Sequence, residues 1–242
     1  MPSAGTMEIC PVCFWEDAPG EYPYNVSNKT SLPQAQLNYA RMAACEQEYF
    51  ELTRLPLPEE ARPGGWLSFE ETRKSLIGEI EAVFEDVLLD EGITLHQSVE
   101  FDCLGYPPDW LLAEAAMQDP ETRWQDIPAE KISRFSGSMI HFDGKGFRFH
   151  LPAFMRYALQ VASDRTWGHS DGVMFALHYG PEDGYSKKGI ALLSAGQKQV
   201  ISKFLQFFAS SDHYHYQSNA RCALKNGWAK WLPESSDTNA SC

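Results

Sequence analysis

Leu76-Ile-Gly-Glu-Ile-Glu-Ala-Val-Phe-Glu-Asp-Val-Leu88 sets the class of the larger part of this chain. Leu76, Ile77, Ile80, Val83, Phe84, Val87 and Leu88 recur at helical intervals and draw one apolar stripe along an α-helix. Ser68 with Glu71 supplies a capping box ahead of it, and the spacing predicts a helix that ends near Gly92. Further along, the apolar stretch from Ile93 to Phe101 reads as a short strand. Pro107-Pro108-Asp109 sets up a second helix through Met117, and Pro128 starts a short third. Ser138 to His150 holds Asp143-Gly-Lys-Gly146 between two aromatic arms, which suggests a small hairpin. Pro152 then opens a helix carrying Phe154, Met155, Leu159 and Val161. Ser194, with Gln197 three residues on, opens a strong helix lined by Val200, Ile201, Phe204, Leu205 and Phe208. A last helix covers Asn219 to Leu232, and Glu234 to Cys242 reads as a disordered tail.

On the amino-terminal side, Pro11, Pro19, Gly20 and Pro23 keep residues 1 to about 30 loop-like. Ser31 and Gln34 box the start of one short helix, with Ala35, Leu37, Tyr39 and Met42 before Cys45. Leu55-Pro-Leu-Pro-Glu-Glu-Ala-Arg-Pro-Gly-Gly65 then has the makings of a linker, with three prolines, two glycines and little to bury. The expected organisation is a small cysteine-bearing module over residues 1–62, a mainly helical domain over 66–233, and the tail 234–242. The fold class is mainly α with minor β (α+β).

The chain has 242 residues, 43% of them hydrophobic and 13% aromatic, enough to bury a sizeable core. Its formal charge of −13 argues against nucleic acid and anionic membranes, because both reward clustered Lys and Arg. It is compatible with a basic protein partner. The start carries neither a basic region nor an apolar run, as a secretory signal would, and nothing approaches the roughly 18 apolar residues of a membrane helix. Six cysteines, Cys10, Cys13, Cys45, Cys103, Cys222 and Cys242, are too sparse for a disulfide scaffold. A cytoplasmic location is expected.

Cys10-Pro-Val-Cys13-Phe-Trp-Glu-Asp17 places two thiols at metal-knuckle spacing, where a tight turn aims backbone N–H groups at both sulfurs. Zinc takes four ligands, so Cys10 and Cys13 are half a site, with Cys45 as a third candidate. The reading adopted is a knuckle that holds no metal. A zinc site completed within the chain by Cys45 or a histidine stays open, as does zinc bridging a homodimer. A thioredoxin-like redox pair should lead directly into a helix; Asp17-Ala-Pro-Gly20 follows instead.

The run Glu8 to Asp17 resembles the bacterial cysteine-rich CPCC family. So do Asn28, Ser31-Leu32, Ala35-Gln36, Asn38-Tyr39, Ala44-Cys45 and the Pro-rich exit near Pro56. The likeness spans roughly residues 8 to 66 and implies a small zinc-ribbon-like module with a further cysteine knuckle upstream. This chain starts too late to contain that knuckle. From about Trp66 to Trp231 it is similar to a bacterial domain of unknown function, through Gly146-Phe-Arg-Phe-His-Leu-Pro-Ala-Phe-Met155. Proteins of both types resemble accessory or immunity-like bacterial proteins more than enzymes.

The remaining motifs carry little chemistry. His213-Tyr-His215 would put two imidazoles on one side of an extended segment, but reads as a polar-aromatic loop. His141, His150, His169 and His178 are scattered among aromatics. Cys103 beside Asp102 has no nucleophile signature, there is no G-x-S-x-G elbow, and Asp143-Gly-Lys-Gly146 lacks phosphate-loop spacing. Glu79, Glu81, Glu85, Asp86, Asp90 and Glu91 form an acidic run that is either a solvated face or a means of steering a cationic partner. The expectation is a non-catalytic protein-binding protein, immunity-like or regulatory, with no cofactor. The alternatives are a hydrolase or small-molecule enzyme sited near Gly146–Pro152, and a zinc-stabilised homodimer.

Overall fold

The computed structural model describes residues 7–18, 28–61, 64–162, 171–184, 186–210 and 214–233. The loop expected at Pro19, Gly20 and Pro23, the expected tail from Glu234, and His169 and His213 lie outside them. The described residues are mainly helical: α1 (Leu32–Met42), α2 (Phe69–Val83), α3 (Leu95–Leu104), α4 (Asp109–Ala116), α5 (Ala129–Arg134), α6 (Gly144–Gln160), α7 (Asp171–His178), α8 (Lys187–Ala191), α9 (Ala195–Ala209) and α10 (Tyr214–Lys225). Short 3-10 turns link them, and the one β pairing among the described residues is an antiparallel bridge between Ile9 and Glu16. No helix among them is long and apolar enough to cross a membrane.

The chain divides into two compact units, Met1–Ser75 with Ser210–Gln217, and Leu76–Ala209 with Ser218–Cys242. In the first, the Ser31 hydroxyl accepts from the Gln34 N–H at 3.4 Å to start α1. That helix ends at Ala43 in the left-handed region (φ 57). The expected linker is partly ordered: Pro58–Glu60 make a 3-10 turn, and Glu60 accepts both guanidinium N–H groups of Arg54. Glu71 and Ser68 cap the start of α2 reciprocally, as the box predicts.

The second unit is built around α6. From Gly146 to Met155 every residue except half-buried Arg148 is buried, as befits a helix covered on all sides. It packs against α5, α7, α8 and the 3-10 turns Trp124–Asp126 and Ser136–Ile140. This overturns the hairpin expected over 138–150. The Asp143 carboxylate caps α6 by accepting from Gly146 N–H at 2.8 Å and also accepts from Ile93 N–H at 3.0 Å. A side chain at Gly146 would stand 2.5 Å from the Ile93 carbonyl, and one at Gly92 equally close to the Gly146 nitrogen. The glycines serve close backbone approach rather than a β-turn. Pro152 sits inside α6 instead of opening it. It has no N–H for the Arg148 carbonyl, and its buried ring packs in the core.

Two more expectations change. Ile93–Phe101 is no strand; α3 starts at Leu95 behind a capping box in which Thr94 and Gln97 each satisfy the other's N–H. The helix through 76–88 stops at Val83, and side chains from elsewhere bond the carbonyls at and just past its end. Gln197 donates to Val83 O at 3.1 Å, Trp124 Nε1 to Phe84 O at 2.8 Å and Gln125 to Glu85 O at 3.3 Å. Phe84 and Val87 are buried beyond the helix end. The final helix begins earlier than expected, at Tyr214, so His215 is helical. It stops at Lys225 before Gly227 (φ 120), and a 3-10 turn Trp228–Trp231 follows. Ser194 and Gln197 cap α9 as expected.

Candidate functional site

The knuckle is a tight turn. Cys10 N–H donates to Trp15 O and Phe14 N–H to Cys10 O, both at 2.7 Å, below the Ile9–Glu16 bridge. Phe14 takes φ 65, a left-handed position uncommon for a bulky residue, and its ring stacks on Tyr49 at 4.6 Å. Buried Asn28 clamps the far strand, accepting from Glu16 N–H and donating to Glu16 O. The left-handed exit of α1 brings Cys45 alongside: its N–H donates to Cys13 O at 2.6 Å, and Asn38 donates to its carbonyl at 2.7 Å.

Cys10, Cys13 and Cys45 are therefore neighbours, all free thiols. Burial pushes Cys13 up to about 12, with the adjacent Cys10 and Cys45 sulfurs adding to it. Burial, then the nearby Glu46 carboxylate, pushes Cys45 up to about 11. Both shifts run opposite to the lowered pKa of an activated thiol. A tetrahedral zinc shell takes four donors around one centre. Among the described residues no three His, Cys, Asp or Glu side chains enclose such a point, so the donor set as it stands does not fit a closed site.

The helical unit concentrates charge. Between Lys74 and Arg123 the chain carries twelve acids and not one Lys or Arg, leaving the rest close to neutral. Some are paired: Glu79 with Lys203 at 2.5 Å, Glu81 with Arg156 at 3.9 Å, Glu91 with Lys145, and Asp102 with His141 at 3.2 Å. The six-acid run is thus not one bare face. Among the described residues, Glu85, Asp86, Asp90, Glu100, Asp109 and Glu114 make no ion pair with a Lys, Arg or His.

Asp119 is the best-tied acid. It accepts from His96 N–H, His96 Nδ1 and Lys131, each at 2.8 Å, and Lys131 also reaches Glu121 at 2.7 Å. Burial alone would raise the carboxyl, but Lys131, the His96 N–H and Thr94 outweigh it and hold Asp119 below its ordinary range. His96 escapes sequence reading because its partner lies 23 residues away. This knot fastens the start of α3 to the chain after α4.

Of the scattered histidines among the described residues, His141 pairs with Asp102 and His150 serves packing. His150 is buried and stacked on Phe142 at 4.4 Å, with Nδ1 donating to Gly146 O at 2.7 Å. Burial pushes it down to about 4, so it is neutral. His178 is half-buried at the end of α7, and Cys103 is exposed in the last turn of α3. A groove of about 390 Å³ is lined by Glu81, Ala82, Glu85, Arg123, Gln125 and Arg156. Arg156 lies over the Trp124 ring at 5.1 Å and donates to Gln125 O, and burial lowers its pKa. That lining offers guanidinium and carboxylate groups and no nucleophile.

Two family models match the chain. Residues 1–60 match the model described as cysteine-rich CPCC. Neither a curated protein nor a solved structure matches the chain. Residues 72–232, more than half of its length, match the model described as a family of unknown function (DUF6714), and the protein belongs to that family.

Proposed function

We propose that this is a non-catalytic protein-binding protein, immunity-like or regulatory in role, that meets a basic protein partner in the bacterial cytoplasm. Its organisation is a zinc-ribbon-like module over residues 1–62, whose Cys10, Cys13 and Cys45 do not close a metal site by themselves, followed by the helical domain over 66–233. One observation carries the reading: twelve acids and no Lys or Arg between residues 74 and 123, half of those acids outside any ion pair among the described residues. Such a field attracts a cationic surface over a Debye length and raises the encounter rate. It repels nucleic acid, anionic lipid and a second copy of the same surface.

The test is co-purification with the full chain as bait, then association kinetics with the recovered protein. The expected partner is basic, and its association rate should fall about ten-fold or more between roughly 50 and 500 mM salt. Recovery of no specific partner at near-native salt, or a rate indifferent to salt, removes the reading.

A further inference from the structure

We infer that the α3–α4 hairpin is the surface on which this partner docks, and that the partner offers an apolar pocket ringed by Lys or Arg. The inference rests on the protein-binding reading above and adds the site and the partner's chemistry to it.

The hairpin displays large apolar side chains in close succession. Tyr106 is 97% exposed, Met117 78%, Trp110 67% and Leu104 55%. A single exposed apolar residue needs no explanation. Here a Trp, a Tyr and a Met, types enriched at interfaces, lie in one short stretch of chain. Trp110 and Glu114 on α4 and Met117 at its C-cap are spaced four and three residues apart and share one face. The opposite face is used internally: Ala115 is buried, and Leu112 O accepts from Gln97 of α3.

The display is also stiff. Gly105 takes φ 69 and donates to Phe101 O at 2.9 Å to end α3, and Tyr106 N–H donates to Leu104 O at 2.8 Å. Pro107 and Pro108 then fix the entry into α4. An aromatic ring held out on so restrained a backbone loses little freedom on binding.

Charge selects the occupant. Glu100, Asp102, Asp109 and Glu114 lie on the same two helices, Asp102 paired with His141, and no Lys or Arg lies on either helix. Two copies docked through this face would oppose their own acids, and an anionic leaflet would repel it. A basic-rimmed protein pocket satisfies both the apolar centre and the acidic edge.

The experiment places p-benzoylphenylalanine at Trp110 in the full chain, with Phe175 as control position, and irradiates cells that express it. Binding of the purified cross-linked protein is then measured against the parent chain and a Tyr106→Ala/Trp110→Ala variant. The expected result is a cross-link at position 110 alone to a protein with a basic apolar pocket. The variant should lose about 30-fold or more in affinity, mostly in dissociation rate, with an unchanged thermal midpoint. A cross-link to a second copy, to this chain's own amino-terminal module or to lipid overturns the inference. Undiminished binding by the variant beside salt-dependent binding by the parent overturns the docking surface and leaves the protein-binding reading standing. A parent chain that holds no partner overturns both.

Discussion

The two units of this chain hold their shape by different means. Among the described residues of the first, the buried apolar side chains are Ala35, Ala44 and Cys45. Its order comes from backbone pairing around the knuckle and from Asn28 and Asn38, which satisfy main-chain groups directly. The second buries Trp124, Trp228, Phe84, Phe147, Phe149, Phe154, Phe204 and Phe208 almost completely. Small modules of the first kind usually lean on a metal or disulfide, because their buried area is too small to offset chain entropy. Units of the second kind depend on close packing, so one missing ring is felt throughout.

The largest test of that contrast is Trp124→Ala. It leaves a cavity, removes the hydrogen bond to Phe84 O and strips the ring from under Arg156. We expect a loss of about 3–5 kcal/mol in denaturant unfolding of the helical unit. A loss under about 1 kcal/mol would show that the core is looser than its burial implies.

Acid should act on the same unit. His150 has a folded pKa of about 4, below its unfolded value near 6.5. Its neutral form is favoured by folding, so its contribution is complete above roughly pH 6.5 and lost as pH falls towards 4. Between pH 7 and about 4.5 the loss is roughly 2–3 kcal/mol. Urea unfolding across that interval should show the fall in the parent chain and a flatter profile in His150→Met. Identical profiles would mean that the imidazole is hydrated in the folded state.

The smallest expected effect is the most informative about the first unit. Because Cys10, Cys13 and Cys45 do not surround one point, a chelator should leave the thermal midpoint unchanged, and the zinc-to-chain ratio should be near zero. A drop of several degrees, abolished in Cys10→Ser, would show that a metal holds the module and would break the contrast.

The elements that sequence reading found are those whose signals are local. Ser31 and Gln34, Ser68 and Glu71, Pro108, Pro128, and Ser194 with Gln197 each mark a helix start through groups a few residues apart. The misreadings share another cause. A short apolar run such as Ile93–Phe101 suits a strand or a buried helix equally, and the Thr94–Gln97 box was the local signal that decides for helix. Asp143 and Gly146 look like a turn until Ile93 is placed against them. No local signal stops α2 at Val83, and the side chains that bond the carbonyls at and past its end, Gln197, Trp124 and Gln125, come from far along the chain. Cys45 reaches the knuckle only through the left-handed exit at Ala43, and His96 meets its carboxylate only when α3 and α4 close together.

Taken alone, the sequence determined helical class, the cysteine turn, half of the described helix starts and the excess of acid, because caps, periodicity and charge act over a few residues. Tertiary structure decided where α2 ends, that 143–160 is one buried helix, which acids are paired, and that Tyr106, Trp110 and Met117 face water. Those outcomes depend on which distant backbone and side-chain groups satisfy one another, and no spacing along the chain encodes that.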